Sequence, residues 1–385
     1  MKRTIVLFAI LFAVQSNAQD TIYARHIIDT LTSKTFFGRG YLNDGMKLCK
    51  AFLIEEFNRA GLKPLSGKNF SQEFSYPVNT FPGEVFLKMN GRELRPGYDF
   101  IVAPESKGIS GSFTLKKADS THFISKKDNL VVSLEEKLTW SVAPGPAGYS
   151  SVEVLKSALT EEPKKIELKL ENNPIRSFRA ANVCGMVKGT VYPDSFIIFT
   201  AHYDHLGGLG KEVYFPGAND NASGISLLLG LAKYYSENPQ PYSIGFICFA
   251  GEEAGLVGSK YFVENPLVSL DAIRFLVNLD LMGTGVEGIT VVNATEFPKE
   301  FEILKSISEK NNLLAAVNSR GKAQNSDHYW FTENGVPSFF IYALGGIKAY
   351  HDVYDIAATL PNNEYLDLFR LLKEFTGELM GHSAK

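Results

Sequence analysis

The chain has 385 residues, of which 45% are hydrophobic and 21% are charged, and its formal net charge is -3. These values are typical of a soluble globular protein, and they exclude a disordered, collagen-like or coiled-coil chain. Acidic and basic residues nearly balance and form no long basic run, so the sequence predicts no nucleic-acid partner. Three cysteines are too few for a disulfide scaffold or a cysteine-built zinc site.

The N-terminus has the pattern of an export signal. Lys2 and Arg3 precede an apolar stretch, 5–14, and Ala18 offers a small residue for cleavage. A bilayer span needs about 20 apolar residues, so this stretch is too short to anchor the chain. We therefore predict a signal peptide over 1–18, a periplasmic or extracellular location, and no stable insertion into a membrane.

The chain then divides into a helical start, a strand-rich middle and an alternating α/β end. Apolar residues at helical spacing predict a helix over Asp44–Leu62, with Asp44 as its N-cap. Short alternating runs broken by Gly, Pro, Ser and Asp predict a small β-rich insert over 83–173, whose role the sequence does not indicate. The residues on either side of it, 19–82 and 174–385, are predicted to form one larger domain.

Beyond Asn182, continuous apolar runs alternate with helical stretches. The apolar runs predict buried strands at Phe196–Ala201, Ile244–Ala250, Phe275–Leu281, Ile289–Val292 and Ser338–Tyr342. The helical stretches predict helices at Ala222–Ser236 and Glu364–Met380. This alternation predicts an α/β fold, a three-layer sandwich around a mixed, mostly parallel sheet. Active sites of this class form where the strands end, which directs attention to the polar residues there.

Imidazoles and carboxylates cluster at these strand ends, and they are His202, Asp204, Asp220, Glu252, Glu253, Asp280 and His351. Taken singly each has an ordinary explanation, such as a helix cap or a solvated loop, so the prediction rests on their joint occurrence. Histidine nitrogen and carboxylate oxygen are ligands that Zn²⁺ takes readily. The set contains more ligands than one tetrahedral ion can bind. Two ions about 3.5–4 Å apart, bridged by one carboxylate, would use all of them.

Two local patterns support this interpretation. Asp204 lies two residues after His202, so on an extended segment both side chains point the same way, and a carboxylate there can fix the tautomer of a metal-bound imidazole. Glu252 and Glu253 are adjacent and point in different directions on a turn. One glutamate can therefore bind metal while the other faces a water molecule.

These segments resemble those of the M28 zinc peptidases, a family that includes secreted bacterial aminopeptidases. The resemblance runs from about residue 182 to residue 355, and the separated motifs occur in the family's order. It implies a zinc peptidase fold with two zinc ions per chain. By the resemblance His202 and Asp280 bind the first zinc, Glu253 and His351 bind the second, and Asp220 bridges them.

The same resemblance implies the catalytic roles. Glu252 corresponds to the general base, Asp204 to the carboxylate that orients His202, and Tyr350 to a tyrosine beside the developing oxyanion. His205 and His328 are predicted to be non-ligands because the site is complete without them. The implied function is an exported dizinc aminopeptidase that releases N-terminal residues from peptides.

Three alternatives remain open at the sequence level. A carboxypeptidase or dipeptidase of the same superfamily needs a cation for the substrate carboxylate, which Arg320, Lys322 or a basic residue of the insert offers. A glutaminyl cyclase uses one zinc, and the complete ligand set argues against it. A non-catalytic binding ectodomain would have lost ligands, and here no ligand or base is missing. The sequence fixes neither the side-chain preference of the pocket nor the oligomeric state.

Overall fold

A computed structural model describes residues 21–381, and the predicted export signal lies outside them. The helices are α1 (21–31), α2 (Gly45–Arg59), α3 (Gly224–Glu237), α4 (Val257–Glu264), α5 (Pro298–Asn311), α6 (His328–Glu333) and α7 (Tyr365–Gly381). Within the described residues, no helix is long and apolar enough to cross a membrane.

The strands fall into three successive groups along the chain. The first group is β1 (Lys63–Pro64) and β2 (Ser71–Thr80). The second is β3 (Val85–Met89), β4 (Arg92–Leu94), β5 (Phe100–Val102), β6 (Ile109–Thr114), β7 (Lys116–Lys117), β8 (His122–Ser125), β9 (Leu130–Glu135), β10 (Ser150–Leu155) and β11 (Lys165–Leu170). The third is β12 (Asn173–Val187), β13 (Tyr192–His202), β14 (Gly208–Leu209), β15 (Val213–Tyr214), β16 (Tyr242–Phe249), β17 (Ile273–Leu279), β18 (Ile289–Val292), β19 (Val317–Arg320) and β20 (Ser338–Ala343).

A nine-stranded mixed sheet lies at the centre of the larger domain, in the order β1-β12-β16-β13-β17-β20-β18-β19, with β2 also paired to β12. The four central strands β16, β13, β17 and β20 run parallel to one another. Strand β12 flanks them antiparallel on one side and β18 on the other. The predicted α/β sandwich around a mixed sheet is confirmed, and the parallel strands form its middle.

Helices cover both faces of this sheet because its central strands are apolar on both sides. Successive side chains of a strand point to opposite faces. Ile197 and Phe199 on β13 therefore pack in one core with helices α1, α2, α3, α5 and α7, whereas Ile198 packs in another with α4 and α6. All three side chains are fully buried, which is typical of a parallel strand between two helical layers.

The segment 83–173 contributes two further sheets. One has five strands in the order β5-β10-β9-β8-β7, and the other has four in the order β4-β3-β11-β6. Their apolar core also includes side chains of the larger domain, namely Phe81, Leu206, Leu209, Phe215 and Val353, and we call this joint cluster the shared core. The strands lie within the predicted insert, while its exact boundaries stay a prediction.

One local prediction is wrong. Helix α2 begins at Gly45, but Asp44 is not a side-chain cap, because it adopts a left-handed backbone (φ 56°) and its side chain accepts no hydrogen bond from the free backbone N–H groups of the helix. A capping residue needs an extended backbone to turn its oxygen toward the free N–H groups. The carboxylate of Asp44 lies 3.4 Å from the ammonium of Lys47 instead.

Candidate metal centre

Three neighbouring parallel strands deliver polar side chains to one edge of the central sheet. Strand β13 ends at His202, Asp280 follows β17 directly, and Glu252 and Glu253 lie on the turn after β16. Because β13 lies between β16 and β17, the three carboxyl ends meet. The sheet thus gathers the side chains that the sequence analysis placed in a site.

Asp220 and His351 reach the same edge from loops and complete the group. The Nε2 atom of His202 lies 3.3 Å from Asp220 Oδ1 and 3.3 Å from Asp280 Oδ1. The Nε2 atom of His351 lies 3.1 Å from Asp220 Oδ2 and 3.3 Å from Glu253 Oε2. Ligand atoms of one tetrahedral zinc ion, with bonds of about 2.0–2.1 Å, lie about 3.3 Å apart. The side chains therefore fit two zinc ions, with one oxygen of Asp220 directed to each ligand group.

His205 lies closer to this group than the sequence analysis implied. Its Nδ1 atom is 2.7 Å from Glu253 Oε1, and His205, Asp220 and Glu253 are close enough together to hold an ion. A separation of 2.7 Å is that of a hydrogen bond, shorter than the edge of a zinc tetrahedron. We therefore interpret His205 as the residue that orients Glu253, whose second oxygen faces His351.

His328, the other histidine predicted to be a non-ligand, is buried at the start of α6. Burial lowers the pKa of His328 to about 3, so the ring is neutral at ordinary pH. It packs against the ring of Phe340.

The carboxylate of Asp204 lies closer to the glutamate turn than to the ring of His202. The Nδ1 atom of His202 lies 3.2 Å from the backbone oxygen of Asp204 and 3.9 Å from its carboxylate. That carboxylate accepts hydrogen bonds from the backbone N–H groups of Glu252 (3.2 Å) and Glu253 (3.3 Å). Asp204 thus positions both glutamates, a contact between distant segments that sequence spacing does not reveal. Burial raises the pKa of Asp204 to about 7.

Ser326 and Asn278 hold Asp280 in place. The Ser326 hydroxyl donates to Asp280 Oδ2 at 3.1 Å, and the Asn278 side chain donates to the Ser326 oxygen at 2.8 Å. Neither residue is among those predicted for the site. For Asn278 a signal was present, since it lies two residues before Asp280 and so on the same side of the strand.

Arg39 was also missed, although it ties together the loops that carry the site. Its fully buried guanidinium donates to the carbonyls of Tyr203 (2.9 Å), Pro216 (2.6 Å), Gly217 (2.8 Å) and Asp220 (3.2 Å). A fork of five N–H donors suits such a cluster of acceptors. Glycines flank Arg39 because the backbones touch: a Cβ on Gly38 would lie 2.2 Å from the Gly207 oxygen.

The cleft in front of the ligands combines a base, an aromatic ring and a cation. Burial raises the pKa of Glu252 well above its ordinary value, and the charge of Glu253 adds to the rise. The ring of Tyr350 stacks on that of His351, with centroids 4.0 Å apart and planes at 15°. Tyr350 is 44% exposed, and partial desolvation raises the pKa of its phenol, which therefore keeps its proton at neutral pH.

Of the cations proposed from the sequence, which were Arg320, Lys322 and a basic residue of the insert, only Arg320 is among the described residues that line the cleft. One of its guanidinium nitrogens lies 3.2 Å from the Tyr342 hydroxyl. Lys322 instead forms an ion pair with Glu333.

A comparison of the sequence with models of known protein families assigns the chain to a family. The profile described as peptidase family M28 matches residues 182–376, more than half of the chain and the part that carries the whole ligand group. The chain belongs to peptidase family M28.

Curated relatives share only part of their length with this chain. Aminopeptidase YwaD of Bacillus subtilis is 32% identical over 188 residues, which are 47% of this chain and 39% of that protein. A probable leucine aminopeptidase of Arthroderma otae is 28% identical over 196 residues, 48% of this chain and 54% of that protein. The chain thus covers about half or less of the length of these relatives.

Solved structures match the fold over nearly the whole chain. The peptidase M28 precursor from Shewanella amazonensis has a TM-score of 0.71 at 16% identity and covers 98% of this chain and 97% of its own. BSAP, a zinc aminopeptidase from Bacillus subtilis, has a TM-score of 0.69 at 21% identity, and the match covers 92% of this chain and 94% of BSAP. These structures share the α/β fold, and the match extends across the segment 83–173.

Proposed function

We propose that this M28 member is an exported aminopeptidase with two zinc ions. The observation that carries the proposal is the separation of the ligand atoms: two histidines each lie 3.1–3.3 Å from two carboxylates, and both share Asp220. His202 and Asp280 would hold one ion, Glu253 and His351 the other, and Asp220 both. Relatives named as zinc aminopeptidase and zinc metalloprotease support the choice of metal.

Bound zinc supplies Lewis acidity, which acidifies water and polarises a carbonyl. The side chains of the chain perform the proton transfers around it. Glu252, held by its backbone contact with Asp204, accepts the proton of the attacking water and delivers it to the leaving amine. The Tyr350 hydroxyl, which keeps its proton, donates to the oxyanion as it develops.

Relatives named as aminopeptidases favour a substrate with a free α-amino group. Asp220, Glu253 and Asp280 also line the cleft, but as proposed ligands their charge would be balanced by the two ions. Cleavage next to a free N-terminus would place the first peptide bond beside Glu252. One observation favours the second candidate, a carboxypeptidase or dipeptidase: Arg320 lines the same cleft and offers a guanidinium to a substrate carboxylate.

Zinc content and end-group chemistry test the proposal together. Elemental analysis of the purified protein is expected to give two zinc ions per chain, with turnover of an aminoacyl-nitroanilide. Acetylating the α-amino group is expected to abolish cleavage. Release of C-terminal residues from N-blocked peptides would establish the carboxypeptidase instead. Full activity with one zinc would favour a cyclase-like centre, and absence of both metal and turnover would favour a binding ectodomain.

Export is a separate part of the proposal and rests on the N-terminal sequence pattern. Expression of the full chain in a bacterium is expected to give a mature protein that begins at Gln19 in the periplasmic or extracellular fraction. A chain that retains residues 1–18 in the cytoplasm would overturn this part without affecting the proposed chemistry.

A further inference from the structure

The insert makes direct contact with the loop that carries His351. Its segment 137–140 lies in the connection between β9 and β10. The backbone N–H of Trp140 donates to the His351 oxygen at 2.9 Å, and His351 Nδ1 lies 2.9 Å from the Trp140 oxygen. A carbonyl only accepts hydrogen bonds, so this contact places the ring proton on Nδ1. The Nε2 atom is then left free to face Asp220 and Glu253.

Lys137 forms hydrogen bonds to the same loop. Its ammonium donates to the backbone oxygens of Lys348 (3.0 Å) and Tyr350 (3.2 Å), and it lies 3.3 Å from the Asp352 carboxylate. Asp352 in turn accepts from the backbone N–H of Tyr354 at 2.9 Å. The insert thus fixes the backbone on both sides of His351.

The backbone of His351 needs such support. It has a φ of 53°, in the left-handed region that residues other than glycine adopt at a cost in free energy. Strained conformations of this kind persist only where surrounding contacts determine them. Here those contacts come from Lys137 and Trp140.

Trp140 is itself a rigid anchor. Its side chain is buried, its indole N–H donates to the Val102 oxygen at 2.7 Å, and its ring stacks on Phe215 with centroids 4.6 Å apart. Because Phe215 belongs to the shared core, the anchor connects the insert to the larger domain. The residues that line the metal cleft, among those described, all lie outside 83–173, so the insert acts from behind the site.

We propose that the segment Lys137–Trp140 of the insert positions His351 and Tyr350, so that the insert forms an integral part of the second metal position. The proposal rests on the proposed dizinc function. Lys137 and Trp140 are positioning residues, since they act through His351 and touch neither substrate nor reacting atoms. The role of the insert is therefore to set metal affinity at one of the two positions.

Zinc affinity of Lys137 variants tests the proposal without measuring activity. Lys137→Met keeps the length of the side chain but removes the ammonium. In a competition titration against a fluorescent chelator, it is expected to bind one of the two ions about 10-fold more weakly. This is the low end of the effect of losing a partner of a metal ligand, because Lys137 contacts the backbone beside His351 and not its ring. Lys137→Arg retains the charge and is expected to restore most of the affinity.

Lys156→Met is the matched control. It removes an ion pair of the same insert, between Lys156 and Glu136, that includes neither Lys137 nor Trp140. It is expected to bind both ions like the parent protein. A thermal unfolding midpoint for each metal-free variant separates weakened binding from general loss of structure.

Tryptophan fluorescence provides a second readout that does not depend on Lys137. The chain has two tryptophans, so Trp330→Phe leaves Trp140 as the sole reporter. Adding zinc to the metal-free variant is expected to change the Trp140 emission in proportion to zinc binding at the position that contains His351. An unchanged emission, or a Lys137→Met protein that binds both ions normally, would overturn the proposal. A parent protein that binds fewer than two ions would instead contradict the dizinc function.

Discussion

The two adjacent glutamates have different surroundings that match different tasks. Glu253 is held through both oxygens, one 2.7 Å from His205 and the other 3.3 Å from His351. Glu252 lines the cleft, and its buried carboxyl has a raised pKa. A carboxylate fixed at both oxygens suits a metal ligand, whereas one facing the cleft with elevated basicity suits a proton acceptor.

Substitution of each glutamate separates these roles. Glu252→Gln is expected to retain two zinc ions and to lose about 10²–10⁴-fold in kcat, because an amide cannot accept the proton. Glu253→Gln is expected to lose one zinc first and to regain activity with added metal. Zinc content measured beside turnover checks both. A metal-depleted Glu252→Gln and a metal-replete, inactive Glu253→Gln would show that the roles are reversed.

Arg320 gives a test of substrate length. If its guanidinium receives a free carboxylate, Arg320→Gln raises KM for dipeptides about 10-fold or more, since a hydrogen bond to a charged group contributes about 1.5–3 kcal/mol. An aminoacyl-nitroanilide has no such carboxylate, and its KM is expected to stay the same. Lys322→Gln is the control, because Lys322 is paired with Glu333. Equal changes for both substrates would exclude the carboxylate contact.

At the scale of helices and strands, buried continuous runs were predictable and local caps were not. The predicted strand Ile289–Val292 has the same bounds as β18, and the predicted closing helix differs from α7 by one residue at each end. Both predictions succeed because the pattern of apolar residues is a property of the segment alone. Asp44, by contrast, depends on a backbone conformation that periodicity does not report.

In the metal centre, too, some residues were predictable from the sequence and others were not. The residues that the sequence analysis placed at the metal centre carry ligand chemistry in their own side chains. Arg39 and Ser326 act through contacts with chain segments far away in sequence, which no local pattern encodes. The contact between Trp140 and His351 is made by backbone atoms, so the residue types gave no signal for it.

The loops carrying Asp220 and Tyr203 depend on the Arg39 guanidinium for their hydrogen bonds. Arg39→Lys cannot present the planar fork, and each buried carbonyl left unpaired costs about 1–3 kcal/mol. We expect the free energy of unfolding, measured with denaturant, to fall by at least about 3 kcal/mol. Arg95→Lys is the control and should change it much less, because the Arg95 side chain is 71% exposed and a lysine can still pair with Asp99. A similar loss in both variants would contradict the assignment.

For the whole molecule, metal binding and stability are linked. The buried carboxylates of the site repel one another without a cation between them, so removing metal is expected to lower the unfolding temperature. Re-adding zinc should raise it progressively with free zinc concentration, as any ligand specific for the folded state does. Scanning fluorimetry with and without chelator measures this. An unfolding temperature independent of zinc would show that the ions are not bound in the folded protein.

The shared core has a consequence for how the protein is made. Its nine insert strands are complete once residue 170 has been synthesised, but part of their apolar cover comes from Leu206, Leu209, Phe215 and Val353, all later in the chain. A nascent chain therefore exposes part of this core until residues 206–215 have emerged, and Val353 completes it near the end of synthesis. The insert is accordingly expected to fold poorly when it is transplanted into a chain that lacks these partners.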